Sequence, residues 1–251
     1  MRTQTIHFPD QQTLSVFPEE QSDLIQAIAK LGLNSSYPVI VLIGGEIDDQ
    51  HAAMTRRAIQ SISRAAEDLG AAIICGGTDM GVMAEIGQIR SRDGYIFPLV
   101  GITPEELVTW PGGTPSTKRL WWGKKRWQLE AHHSHFILVP GSQFGDESAW
   151  MMDTATLLSK GRRSVTILIN GGEVSRKEIE LSLKNGRPVI VVSRTGRLAD
   201  ELATQPERND LMTVLPANAE KSIAGAIQAA LSAPGTLQPA DQVEKAAVEV
   251  V

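Results

Sequence analysis

Residues 71–83, Ala-Ala-Ile-Ile-Cys-Gly-Gly-Thr-Asp-Met-Gly-Val-Met, contain the pattern that determines the fold class of this chain. An apolar run of strand length stops at a pair of glycines, and polar residues that can cap a helix follow at once. An apolar run ending in Gly-Gly occurs again at residues 39–45 and at residues 165–172. Strand-to-helix turns that recur in this way predict βαβ units, and therefore an α/β protein with a mainly parallel sheet.

The apolar runs are continuous rather than alternating, as is expected for strands that helices cover on both faces. They predict a Rossmann-like three-layer fold with strands near residues 38–43, 71–75, 96–101, 135–140, 164–169, 188–192 and 212–215. Helical periodicity, with Gly70 and Gly161 as stop signals, predicts helices near residues 50–69, 80–91, 103–108, 146–160, 173–185, 196–204 and 217–231.

We expect a single domain over residues 1–232. Its first 37 residues form a preface with short strands near residues 5–8 and 13–17 and a helix over residues 22–31. Residues 109–128 form an insertion that holds four of the five tryptophans among lysines and arginines, which favours a lid or a subunit interface. Residues 233–251, rich in Pro, Ala, Gln and charge, predict a flexible tail.

Composition excludes several function classes. The net charge of −5 argues against nucleic-acid binding, and apolar runs of five to seven residues are too short to span a membrane. A single cysteine, Cys75, suits a reducing cytoplasm, where we expect the protein to be. His132, His133 and His135 lie together, but side chains so placed point in different directions, so no metal is expected.

The glycine turns predict the kind of ligand. Glycine lets a ligand approach the backbone, and the helix that follows offers unpaired N–H groups and about half a positive charge. In a parallel sheet such turns meet at the edge formed by the carboxyl ends of the strands. Three of them together predict an anionic small molecule, and a nucleotide is the ligand that we expect.

Three segments carry a resemblance to a known family: residues 39–46 (VIVLIGGE), 76–83 (GGTDMGVM) and 129–147 (LEAHHSHFILVPGSQFGDE). They resemble the SLOG superfamily, in the branch shared by the cytoplasmic N-terminal region of melastatin-type TRP channels and free-standing prokaryotic relatives. Residues 165–203 fit the same branch. The resemblance implies binding of ADP-ribose-like or cyclic nucleotides for signalling rather than turnover, with no cofactor required. It also implies a homodimer, and an effector protein is a further conceivable partner.

The carboxyl edge and the resemblance together give a set of candidate ligand-binding residues. They are Gly44, Gly45, Gly76, Gly77, Thr78, Gly81, Val82, Met83, Pro140, Gly141, Ser142, Gly145, Glu147, Gly171, Gly172, Ser193, Gly196 and Arg197. Valine at Gly77 or Gly141 is then expected to block a phosphate and to leave the fold intact.

Two alternative functions stay open. Residues 140–147 are also similar to the PGGxGTxxE phosphate loop of a sister branch, the LONELY GUY phosphoribohydrolases, which release a base from a nucleoside monophosphate. That similarity implies catalytic roles for Arg126 and Glu147, although Ser142, an inserted residue and Asp146 depart from the loop pattern. The other alternative is an assembly module, in which Trp121 and Trp122 join subunits and the glycine turns bind nothing.

Overall fold

The structure, a computed structural model, describes residues 1–33, 36–113, 126–160, 163–205 and 209–232. The strands are β1 Arg2–His7, β2 Gln12–Phe17, β3 Val39–Gly44, β4 Ala72–Cys75, β5 Leu99–Pro104, β6 Val108–Thr109, β7 Trp127–Gln128, β8 His135–Val139, β9 Ser164–Ile169, β10 Val189–Ser193 and β11 Met212–Pro216. The α-helices are α1 Leu24–Lys30, α2 Asp49–Leu69, α3 Gly81–Arg92, α4 Ser148–Ser159, α5 Glu173–Lys184, α6 Arg197–Thr204 and α7 Glu220–Ser232.

Nine strands form one sheet in the order β1-β2-β8-β5-β4-β3-β9-β10-β11. All neighbouring pairs are parallel except the hairpin of β1 and β2. The chain builds outward from β3 through β4, β5 and β8, and it then returns to place β9 on the other side of β3. The order of strands therefore reverses between β3 and β9, which is where ligands bind in open parallel sheets.

The core has two faces because successive side chains of a strand point to opposite sides of the sheet. In β3, Val39, Val41 and Ile43 pack with α1, α4, α5 and α6, whereas Ile40 and Leu42 pack with α2, α3 and α7. The three-layer α/β class that the sequence predicts is thus confirmed. Gly70 ends α2 with a left-handed backbone (φ 58°), as its position predicts.

One predicted element is wrong and one is displaced. The strand expected over residues 96–101 lies at Leu99–Pro104, because its pairing with β8 continues as far as Pro104 and Val139. The helix expected over residues 103–108 is therefore absent, and a short 3₁₀ turn, Glu105–Leu107, leads into β6 instead. A local apolar pattern could not reveal this, since the partner strand lies more than 30 residues further along the chain.

The predicted preface belongs to the sheet. Its second strand, β2, pairs in parallel with β8, and the hairpin with β1 forms one edge. Gly161, Trp121, Trp122, most of the predicted insertion and the predicted tail lie outside the described residues. In the part of the chain that the structure describes, no helix combines the length and the apolar character that a membrane crossing requires.

Candidate functional site

A cleft of about 360 Å³ opens at the carboxyl edge of the sheet, where β3 and β9 diverge. It is lined by the predicted residues Gly44, Gly45, Gly76, Thr78, Met83, Glu147, Gly172 and Arg197. Three glycine turns that are far apart in the sequence thus converge on one cavity. The cleft lies at the edge that the sequence predicts for a site, because the carboxyl ends of parallel strands share one side of the sheet.

One wall of the cleft is apolar and aromatic. The rings of Trp127 and Phe144 meet edge to face, with centroids 5.0 Å apart, and Met80, Met83 and Met151 continue the surface. Flat aromatic rings and flexible thioethers suit a planar ligand group such as a base. Among the described residues of the predicted Trp-rich segment, Trp127 lines the cleft.

Another part of the cleft lining attracts negative charge. Helix α5 starts at the cleft with Gly172 as its N-cap, and no side chain caps it. The first-turn N–H groups of Glu173, Val174 and Ser175 form no hydrogen bond to the described part of the chain, although they line the cavity. An uncapped helix start of this kind offers donors and a partial positive charge to an anion.

Arg197 lies beside this helix start. A Cβ atom built on Gly45 would come 2.9 Å from its Nη1, and one built on Gly172 would come 2.9 Å from its Nη2. The guanidinium thus lies against bare backbone on two turns, which is possible because both residues are glycine. Within the described residues it forms neither a hydrogen bond nor an ion pair, so its donors are available to a ligand.

Asn170 ties the turns together and was not predicted as a site residue. Its Oδ1 accepts the N–H of Gly45 at 2.7 Å, and its Nδ2 donates to the carbonyl of Glu46 at 2.9 Å. Its own N–H donates to Thr195 Oγ1 at 2.8 Å. Asparagine tolerates the left-handed backbone found here (φ 47°). The sequence signal that could have identified Asn170 as a site residue is its position, as a polar residue between a strand and a Gly-Gly pair.

Two buried carboxyl groups face the cleft. Glu147 precedes α4 and Glu178 lies on α5, and each is 5% exposed. Burial is the main cause that raises the pKa of Glu147 to about 7 and that of Glu178 to about 8. The charge of Asp146 also raises the pKa of Glu147, and the charge of Glu147 also raises the pKa of Glu178. Glu178 was missed in the sequence, where it occupies one buried face of α5 with Ser175, Ile179 and Ser182.

The match with protein-family models decides the family. Residues 37–232 match the model described as "SLOG in TRPM, prokaryote". The chain belongs to this SLOG family. The match covers every strand and helix from β3 to α7, and therefore the whole of the cleft.

Curated relatives of this SLOG chain are cation channels. It is 25% identical over 183 residues to transient receptor potential cation channel subfamily M member 2 of Mus musculus and 24% identical to that of Rattus norvegicus. Each alignment covers 57% of this chain and 12% of the channel, so the chain spans about an eighth of the relatives it matches.

Two solved structures resemble the fold. TM1055, a structural-genomics target, has a TM-score of 0.53 at 18% identity and covers 76% of this chain and 98% of its own. The molybdenum cofactor carrier protein MCP of Chlamydomonas reinhardtii has a TM-score of 0.50 at 17% identity, with 76% and 97% covered. At these identities the likeness concerns the fold alone.

Other glycines of the SLOG turns serve packing rather than ligand contact. A Cβ atom on Gly77 (φ 73°) would lie 2.7 Å from Gly101 Cα, and one on Gly81 would lie 2.1 Å from the carbonyl oxygen of Gly45. The expectation that valine at Gly77 leaves the fold intact is therefore wrong. Gly141 is similarly confined, with Asp146 Cβ 2.9 Å from its built Cβ.

Ten predicted residues lie outside the cleft lining: Gly77, Gly81, Val82, Pro140, Gly141, Ser142, Gly145, Gly171, Ser193 and Gly196. In the Ser193–Arg197 turn, Asp200 accepts the N–H groups of Arg194 and Gly196. These two backbone donors of the predicted turn are thus already occupied within the protein. Arg197 is the residue of that turn which reaches the cleft.

The loop that resembles the phosphoribohydrolase motif also binds its own carboxylates. Asp146 Oδ2 accepts the N–H groups of Ser142 at 2.8 Å and Gln143 at 3.2 Å, and Glu147 Oε2 accepts that of Gly145 at 2.7 Å. Because these backbone hydrogen bonds favour its charged form, they lower the pKa of Asp146, the Ser142 bond most. The carboxylate of Asp146 thus holds the N–H groups that a phosphate would need.

Arg126 is not brought to Glu147. Its Nε donates to the carbonyl of Glu106 at 3.3 Å, and Arg126 does not line the cleft. The two residues that the phosphoribohydrolase resemblance paired are therefore in different surroundings. An ionisable residue that lies near Glu147 in the cleft is another acid, Glu178.

Two of the three histidines, His132 and His133, contact the buried carboxyl group of Glu130. His133 Nδ1 lies 2.7 Å from Glu130 Oε2, and its Nε2 lies 3.1 Å from Cys75 Sγ. Burial acts to lower the pKa of His133, but Cys75 and then Glu130 outweigh it and raise the pKa to about 9. The N–H of Glu130 donates to the carbonyl of Gly77 at 3.0 Å, so this cluster stabilises the Gly76–Gly77 turn. Among the described residues, no three acidic, His or Cys side chains form a metal site.

Proposed function

We propose that this SLOG domain binds a nucleotide at the carboxyl edge of its sheet and acts as a sensor. The phosphate would lie at the start of α5 under Arg197, and the base would lie against Trp127 and Phe144. The observation that carries the proposal is the convergence of unoccupied donors, from Arg197 and from the first turn of α5, on a cleft with an aromatic wall.

The donors are sufficient for useful affinity. A micromolar dissociation constant corresponds to about 8 kcal/mol. Hydrogen bonds to a charged group contribute about 1.5–3 kcal/mol each, and Arg197 with three N–H groups of α5 offers several. Base stacking on Trp127 adds to this and helps to offset the entropy lost on binding. Within nucleotides, the SLOG resemblance favours ADP-ribose-like and cyclic compounds.

A thermal-shift panel tests the proposal. ADP-ribose, cyclic ADP-ribose isomers, NAD, AMP and cyclic nucleotides are each added to the protein, and every mixture is then analysed by mass spectrometry. We expect at least one compound to raise the melting temperature and to be recovered intact. If no compound shifts the melting temperature, the proposal is wrong.

A matched pair of arginine variants tests the phosphate position. Arg197→Gln removes the free cation from the cleft, whereas Arg194→Gln removes an exposed cation from the same turn outside it. We expect Arg197→Gln to weaken nucleotide binding by roughly ten- to hundredfold, as the loss of charged hydrogen bonds predicts. Arg194→Gln should bind as the wild type does. Equal affinities for both variants would contradict the assignment.

A phosphoribohydrolase is the second candidate, and one observation favours it. Glu147 is a carboxyl group in an apolar cleft with its pKa raised to about 7, and such a group can protonate a departing base near neutral pH. The occupied loop and the position of Arg126 oppose this function. Free base and ribose phosphate in the mass spectra of the panel would establish hydrolysis in place of sensing.

The oligomeric state is part of the proposal. We infer a homodimer from the SLOG resemblance, and light scattering after size-exclusion chromatography measures the mass directly. A monomer mass over the whole concentration range would contradict the dimer, and a dimer that persists without any nucleotide response would favour the assembly module.

A further inference from the structure

The cleft contains a feature that a purely anion-binding site would not need. Glu147 and Glu178 approach it from two elements, the turn before α4 and the middle of α5, and both line its surface. Glu147 Oε2 accepts a hydrogen bond from the N–H of Gly145 at 2.7 Å, and Glu178 Oε1 accepts one from the hydroxyl of Ser148 at 3.2 Å. Neither carboxyl group forms a salt bridge within the described residues. Buried acids without a cation are costly, so a functional reason is expected.

The chemistry of the pair limits its partner. Two adjacent carboxyl groups repel each other when both are ionised, so they retain a proton, and each also keeps acceptor oxygens. A pair of this kind is richer in acceptors than in donors. It repels a phosphate or a carboxylate, and it favours a ligand group that donates two N–H bonds.

The position of the pair agrees with the rest of the cleft. Glu178 follows the N-cap Gly172 by six residues, so their backbones are about 9 Å apart along α5. The anion-binding helix start and the carboxyl pair therefore occupy separate parts of one cavity. The same cavity is also lined by Trp127 and Phe144, whose rings suit a planar ligand group. A nucleotide whose phosphate lies at Gly172 would place the edge of its base near the pair.

We propose that Glu147 and Glu178 together bind an exocyclic amine of the ligand's nucleobase, and that they make the cleft selective for amino-substituted over oxo-substituted bases. This inference rests on the proposed function, because it presupposes a nucleotide in the cleft. It adds the chemical class of the base and two specificity-determining residues.

The test uses two ligands that differ at one position. ADP-ribose carries an amine at C6 of its purine, and its inosine counterpart carries an oxygen there and is otherwise identical. Isothermal titration gives the affinity of the wild-type chain for each. We expect the amine form to bind roughly ten- to hundredfold more tightly, since a lost hydrogen bond to a charged group has that effect. AMP and IMP serve in the same way if the monophosphate is the better ligand.

Glutamine variants assign the preference to the pair. Glu178→Gln replaces a carboxyl group that releases its proton near pH 8 by an amide that always keeps its N–H donors, at almost constant volume. Measured at about pH 8.5, it should therefore reduce the preference for the amine form. Glu147→Gln provides an independent second variant. Glu180→Gln, an exposed acid on the same helix, is the matched control and should keep the wild-type preference.

The outcomes separate this inference from the proposed function. If both purine forms bind equally and both cleft variants behave as the wild type, the inference is wrong while the nucleotide site stands. If a 2′-deoxy analogue loses affinity and the C6 group has no effect, the pair binds ribose, which also overturns the inference. If no nucleotide binds to the wild type at all, the proposed function itself fails.

Discussion

Replacing Glu178 by glutamine changes how the stability of the fold depends on pH, and the structure gives the size of the effect. Burial, with a contribution from Glu147, raises the pKa of the Glu178 carboxyl from 4.5 to about 8. In the unfolded chain the carboxyl group regains its ordinary pKa. Between these two values the folded protein holds a proton that the unfolded chain has lost, so the free energy of unfolding falls as the pH rises.

The magnitude follows from the pKa difference. Each pKa unit corresponds to about 1.4 kcal/mol, so Glu178 alone costs the folded state at most about 5 kcal/mol once the pH exceeds 8. Glu147 titrates in the same range and the pair releases its protons jointly, which reduces the share of Glu178. We expect Glu178→Gln to be about 2–4 kcal/mol more stable than the wild type at about pH 8.5, with a small difference at about pH 5.

Chemical denaturation at several pH values measures this difference. Other groups also titrate: the stability that His133 contributes is full below its ordinary pKa of 6.5 and is lost as the pH rises through about 9. Subtracting the wild-type curve from that of the variant removes such contributions. Glu180→Gln is the control, because it makes the same substitution at an exposed position of the same helix. A difference for Glu178→Gln that does not vary with pH would refute the reasoning.

Three further predictions concern the turns around the cleft, each measured by thermal or chemical denaturation. Gly77→Ala should destabilise the fold by about 2 kcal/mol or more, because the added methyl group meets backbone atoms at a residue with positive φ. In the control Gly76→Ala, the nearest atom lies 3.9 Å from the added methyl group, so stability should change by less than about 1 kcal/mol. Equal effects of the two substitutions would contradict the packing role of Gly77. Asn170→Ala should cost about 2–3 kcal/mol, since it leaves the N–H of Gly45 without its acceptor, and a neutral effect would show that water replaces the amide. Asp146→Asn should cost about 1 kcal/mol near neutral pH, and the cost should shrink as the pH falls below the ordinary aspartate pKa of 3.8 and the wild-type carboxylate takes up a proton. A cost that does not change with acidification would show that charge is not what holds the loop.

The predictions of strands and helices were correct where the signal lies within a short stretch of sequence, and they were wrong where the structure depends on contacts with a distant segment. The glycine turns after β3, β4 and β9 were read correctly, because an apolar run followed by Gly-Gly is visible within ten residues. The predicted helix over residues 103–108 failed, because pairing of β5 with β8 extends the strand to Pro104. The same limit explains why Gly77 was predicted to contact a ligand. The sequence shows that this residue lacks a side chain, but it does not show whether a ligand or the backbone of Gly101 occupies the space beside it.

The candidate site divides in the same way. Gly172 and Arg197, which line the cleft, were among the predicted site residues because strand ends and helix starts can be recognised from local composition. Glu178 was not found, because an acid on a helix face is usually solvated, and its burial depends on α4 packing against α5. Arg126 was misjudged for the opposite reason, since its place upstream of a strand matched a family pattern while its side chain lies against Glu106.

By itself, the sequence determined the alternation of strands and helices, the parallel sheet and the edge at which the glycine turns meet, because these depend on local propensity and on the direction of each strand. The tertiary structure alone decided that β9 lies beside β3, although some 120 residues separate them, and that the cleft opens between them. It also decided which turns keep free donors and that Glu147 and Glu178 line the same cleft. Such convergence depends on contacts between distant segments, and periodicity along the chain carries no information about them.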